Sequence, residues 1–168
     1  MIKHQSEVPQ GNALRRLTVL SGLLGALIKG GRASLSELGR HMEDPTDLES
    51  RVKKAKRWLQ NKWTDVTVHF IPYLLPILHS LSKAGELVLA IDGSCVGKDC
   101  MALMVSVIWR RRAIPICWVV RKAPKGHFPE HMHVAIIGQV AMLMDSILEQ
   151  DCRIFLLGDA EFDGCELQ

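Results

Sequence analysis

Two aspartates stand where apolar, strand-like runs give out: Asp92 after Leu87-Val88-Leu89-Ala90-Ile91, and Asp159 after Arg153 to Leu157 and Gly158. Short continuous apolar runs of this kind are expected of strands buried on both faces. If the two strands lie parallel and adjacent, the carboxylates become neighbours, and like charges held side by side repel unless a cation neutralises them. Magnesium suits such a pair, because it takes oxygen ligands and retains waters and phosphate oxygens in its shell. Two such ions about 3.5–4 Å apart can clamp the attacking and leaving oxygens of a phosphodiester. The chemistry this points to is phosphoryl transfer on nucleic acid. A plainer reading stays open for both residues. An Asp after a strand often makes a turn, as in Asp92-Gly93-Ser94, or caps a helix, as Asp159 would before Ala160-Glu161.

Placing the two aspartates together requires a sheet with a crossover. Met101 to Trp109 and Ala113 to Val120 read as hairpin strands joined by Arg110-Arg111-Arg112, a basic turn of the kind usually just solvated. Residues 130–150 then carry Val134, Ile137, Val140, Ala141, Met144, Ile147 and Leu148 on one helical stripe, expected to pack on the sheet. This helix is the crossover that a parallel pair needs. The order strand, strand, strand, helix, strand predicts an α/β fold with a mixed sheet: three antiparallel strands, then a parallel one.

A small helical region precedes it. Leu14, Leu17, Leu20, Leu24 and Leu27 predict a helix over residues 13–28 with that one apolar face, closed by Gly30-Gly31. Ser34-Leu35-Ser36-Glu37 is a capping-box signature for a second, short helix. Residues 47–62 form a third, with Leu48, Val52, Ala55 and Leu59 as its apolar stripe and Arg51, Lys53, Lys54, Lys56 and Arg57 as its cations. Those cations fit a ridge set against DNA phosphates, or simply a solvated face. The expected organisation is a basic helical region over residues 1–65, a linking helix over 66–84 interrupted near its start by Pro72 and Pro76, and the sheet region over 85–168.

With 168 residues, 48% of them hydrophobic, the chain is expected to fold as one domain with a helical appendage. Its net charge of +3 is too mild to name a partner, but residues 1–65 hold 12 basic against 7 acidic residues and the remainder 9 against 11. That asymmetry suits a nucleic-acid-facing front and a back half that can hold cations. Five cysteines without CxxC spacing read as reduced, packed thiols in a cytoplasmic protein rather than as zinc ligands. The apolar stretch Leu17 to Ile28 is too short to cross a bilayer, so no membrane association is expected. His127, His131 and His133 with Glu130 read as a solvated helix entry, the four tryptophans as packing residues, and Gly97-Lys98 lacks the glycine-rich run of a phosphate loop.

Three segments together resemble a known family: Leu87 to Ser94, then Arg111-Arg112-Ala113-Ile114-Pro115-Ile116, then Leu156-Leu157-Gly158-Asp159-Ala160-Glu161-Phe162-Asp163-Gly164. In order and spacing they resemble the insertion-sequence DDE transposases, most of all the group named after the fourth insertion sequence. Ala55-Lys56-Arg57-Trp58-Leu59-Gln60-Asn61 resembles the basic helix before that family's catalytic domain. The resemblance implies a ribonuclease-H-like catalytic domain, incomplete in this chain, with Asp92 and Asp159 matching the first and second metal-binding aspartates. It implies two Mg2+ or Mn2+ ions, double-stranded DNA as partner (transposon ends and target), a nucleoid-associated bacterial protein, and room for a homodimer in a synaptic complex. Ser94 fits the hydroxyl residue usual two places after the first Asp, whereas Ala160-Glu161-Phe162 leaves an arginine role unfilled. The family's catalytic Glu lies well beyond the second Asp, so the sequence to Gln168 is expected not to transpose unaided. The intact protein is expected to cleave DNA strands and join them to target. The alternatives are a non-catalytic DNA-binding remnant and a structure-specific nuclease of the same fold.

Overall fold

A computed structural model of the chain describes residues 9–97, 99–122, 128–148 and 152–159. It divides into two units, Met1–Phe70 and Ile71–Gln168. The division falls inside the segment expected to link them.

The first unit holds α1 (Gly11–Gly30), α2 (Leu35–His41), α3 (Leu48–Leu59) and the short α4 (Val66–His69). Local chemistry sets the ends. Gly31 closes α1 with φ 64°, a left-handed conformation that costs glycine nothing. Ser34 accepts from the Glu37 N–H at the start of α2, and Asp47 accepts from the Ser50 N–H at the start of α3. The capping box is half made, because the Glu37 carboxylate turns to Arg40 and His41.

Leu23, Ala26, Leu38, Met42 and Ala55 form the core, with Val19, Leu35 and Trp58 packed against it. The buried face of α1 is therefore not the expected leucine stripe. Leu14, Leu24 and Leu27 are exposed, and Val19, Leu23 and Ala26 face α2 and α3. Both sets recur at helical spacing, and the smaller Ala26 allows the closer approach.

In the second unit, α5 (Ile71–Ser82) packs against β1 (Glu86–Gly97), so this segment is part of the sheet unit rather than a free connector. Pro72 sits in its first turn, where a missing N–H costs nothing, while Pro76 lies inside the helix. β2 (Cys100–Trp109) and β3 (Arg112–Lys122) follow as an antiparallel hairpin, then α6 (Glu130–Asp145) and β4 (Arg153–Leu157). The sheet order is β3-β2-β1-β4, with β1 and β4 parallel. This is an α/β fold with a four-stranded mixed sheet plus helices, as the order of apolar segments predicted.

Several details differ from expectation. Asp92 does not end its strand: β1 runs on to Gly97, because the hairpin with β2 keeps pairing after the buried alternation Leu87, Leu89, Ile91 has stopped. Asp92 therefore makes neither a turn nor a helix cap. α6 is shorter than expected, and its buried face is His133, Ile136, Val140 and Met144, with Ala141 exposed. His133 is thus a core residue beside Phe128, not part of a solvated entry. Trp63 and Trp109 are exposed rather than packed. The four described cysteines are not core residues either: Cys95 is exposed and Cys100, Cys117 and Cys152 are half-buried. The Cys117 thiol, raised in pKa by burial, donates to Gln139 Oε1 at 3.2 Å. His127, Lys125, Cys165 and the motif from Ala160 to Gly164 lie outside the described residues.

Candidate functional site

Every β1–β4 pair, from Glu86 with Arg153 to Ala90 with Leu157, has the same offset along the chain. Carried two residues further, that register would set Asp159 opposite Asp92. Gly158 and Asp159 follow the last paired residue, Leu157, so the ladder hydrogen bonds stop just short of them. Neighbouring strands lie about 4.8 Å apart, so a continued register makes the two carboxylates lateral neighbours. In β1 the even-numbered residues share a face, which sets Asp92 with Val88 and Ala90 and away from Leu87, Leu89 and Ile91. Asp92 and Asp159 are both exposed. The Ser94 hydroxyl, two residues on and on the same face, donates to Asp92 Oδ2 at 2.6 Å and fixes the carboxylate's orientation.

Two carboxylates so placed offer four hard oxygens, a donor set that fits a divalent cation retaining several waters. Among the described residues no three His, Cys, Asp or Glu side chains group to hold a metal ion. A cation held here would therefore draw on these two carboxylates, with phosphate and water oxygens to complete its shell.

The α3 cations expected to contact DNA do not all lie on one face. Arg51 turns inward: its Nη1 donates to the Met42 carbonyl at 3.0 Å, tying α3 to the end of α2, and its Nε is buried without a partner. Lys56 is exposed on α3 but does not line the cleft described next. Lys53 and Lys54 each neighbour Arg57 on the helix surface, four and three positions away. There they meet Arg15 and Arg16 of α1 across an open cleft of about 540 Å3. Trp58 also lines it, and its indole N–H donates to the Arg16 carbonyl at 2.9 Å, holding α1 against α3.

Acids temper this charge without cancelling it. Lys53 pairs with Glu49 at 2.6 Å and Lys54 with Asp44. The Lys54 ammonium, with smaller help from Thr46, holds the Asp44 carboxyl well below the usual carboxylate range. The Nε of Arg16 is buried with no protein partner. Arg15 and Arg16 were visible in the sequence only as the flank of an apolar run. Their signal was their place in the second turn of an amphipathic helix, but nothing local tied them to α3.

No family model, curated protein or solved structure matches the chain. Among the described residues no helix is long and apolar enough to cross a membrane.

Proposed function

We propose that this chain belongs to a metal-dependent DNA transposase, with a ribonuclease-H-like sheet presenting Asp92 and Asp159 to the scissile phosphate and the helical unit gripping the duplex. The observation that carries the reading is the constant β1–β4 register, since it alone relates two aspartates far apart in sequence. In this reading Asp92 and Asp159 contribute carboxylate oxygens, and Ser94 keeps the Asp92 carboxylate from rotating away. Mg2+ or Mn2+ bound there would neutralise phosphate charge and activate water or a 3′-hydroxyl for attack on the phosphodiester. Lys53, Lys54 and Arg57, joined by Arg15 and Arg16, hold the phosphate backbone and orient the duplex without reading its sequence.

The metal site is tested by Mn2+ binding to the full chain, followed by electron paramagnetic resonance. Asp92→Asn and Asp159→Asn are each expected to weaken binding by about tenfold or more. Equal affinity in all three proteins would overturn the assignment. A nicking assay on duplex DNA tests the expectation that this chain does not act unaided. Magnesium-dependent nicking that is lost in Asp92→Asn would overturn that expectation and mark the chain itself as an enzyme, whereas duplex binding with no Mn2+ affinity at Asp92 and Asp159 favours the non-catalytic alternative.

The cleft has its own test, in duplex binding measured by fluorescence anisotropy over a salt series. Lys53→Glu with Arg57→Glu should lower affinity and flatten the dependence of log K on log salt by about 2, whereas Lys56→Glu should do less. Equal effects per charge at Lys56 and Arg57 would deny the cleft a special part.

A further inference from the structure

The β2–β3 hairpin closes through a two-residue turn, Arg110-Arg111, between the paired residues Trp109 and Arg112. Both central residues have positive φ, 46° and 65°. This is the geometry that matches the twist of hairpin strands, and it is normally supplied by Asn-Gly, because a larger residue's Cβ crowds its carbonyl there. Arg110, Arg111 and Arg112 are all exposed, and none pairs with a carboxylate among the described residues. The Arg110 guanidinium lies 4.8 Å from the centroid of the Trp109 ring, itself 41% exposed. Three adjacent like charges and two strained backbones oppose the turn that contains them. Backbone strain of this sort persists at positions that serve a ligand.

We propose that this turn is a second polyanion contact, in which Arg110, Arg111 and Arg112 grip the phosphodiester backbone of nucleic acid. Guanidinium forks match pairs of phosphate oxygens, and the stack on Trp109 holds one fork pre-oriented. The inference rests on the nucleic-acid reading above but names a different place. Met104, the partner of Asp92, is six residues from Arg110 along β2, roughly 20 Å at the rise of a strand. The contact therefore grips DNA away from the scissile phosphate and takes no part in the chemistry.

The test is the double variant Arg110→Asn/Arg111→Gly in the full chain. Its turn residues suit the backbone better, so Tm should rise by a few degrees while affinity for a duplex falls about tenfold and the salt slope flattens by about 2. Arg110→Lys/Arg111→Lys keeps the charge and should restore the slope. Greater stability with weaker binding cannot come from misfolding. Unchanged duplex affinity and slope in the Asn-Gly variant would overturn the proposal and leave the Asp92–Asp159 reading standing. Loss of poly-glutamate binding with duplex binding intact would overturn it too, assigning the turn to an acidic protein. A wild-type chain that binds no duplex at all would sink both this contact and the nucleic-acid reading.

Discussion

β2 and β4 are both apolar strands of one sheet, yet they are opposites in burial. Met101, Ala102, Leu103, Val105, Ser106 and Val107 of β2 are buried, residues of both parities and so of both faces. In β4, Ile154, Phe155, Leu156 and Leu157 are 42%, 45%, 43% and 55% exposed. β2 has a paired strand on each side, and α6 packs on it and on β3. Among the described residues β4 is the edge and pairs with β1 alone. Apolarity makes a segment a strand, but which surface covers it is a separate matter. Here the difference falls on the candidate site, because the well-held strand β1 carries Asp92 and the weakly held one leads to Asp159.

Truncation experiments can break this contrast. Leu103→Ala removes a fully buried side chain and should cost the sheet unit about 2–5 kcal/mol in urea denaturation. Leu156→Ala removes a side chain that water already reaches and should cost below about 1 kcal/mol. Trp109 and Trp118 fluorescence can follow the sheet unit in both cases. If Leu156→Ala proves as damaging as Leu103→Ala, then β4 is covered in solution, by another segment or another molecule, and the contrast fails. If the costs separate as expected while Leu156→Ala still weakens Mn2+ binding, the β4 register itself matters to the site.

How much of this could be read from sequence follows the same division. The strand order and the parallel pairing were legible, because a continuous apolar run, a hairpin, an amphipathic helix and a second run leave few ways to close a sheet. The extent of β1 was not. Asp92 looked like a terminus because apolarity stops there, whereas hydrogen bonding to β2 continues through Gly97. The buried face of α1 was misjudged because leucines occupy two faces, and only the positions of α2 and α3 decide between them. The cleft was half legible. α3 advertised its cations, but the partners Arg15 and Arg16 are supplied by a helix some forty residues earlier, through the Trp58 to Arg16 contact across 42 positions. That Arg51 serves packing, through the Met42 carbonyl, no local pattern could say.

The smallest effect sharpens the comparison most finely, because it asks what holds β4 at all. At its first residue the Arg153 N–H donates to the Gly85 carbonyl at 3.0 Å, and the Arg153 guanidinium pairs with Glu86. Both side chains are largely exposed, so solvent screens the pair and its worth should stay below about 0.5 kcal/mol. Glu86→Gln is therefore expected to leave the urea midpoint of the sheet unit nearly unchanged, and the small loss should vanish in high salt. Ladder hydrogen bonds would then be what sets the register that brings Asp159 toward Asp92. A loss well above that, or weakened Mn2+ binding in Glu86→Gln, would instead make this ion pair the clamp of the edge strand. The position of Asp159 would then depend on ionic strength.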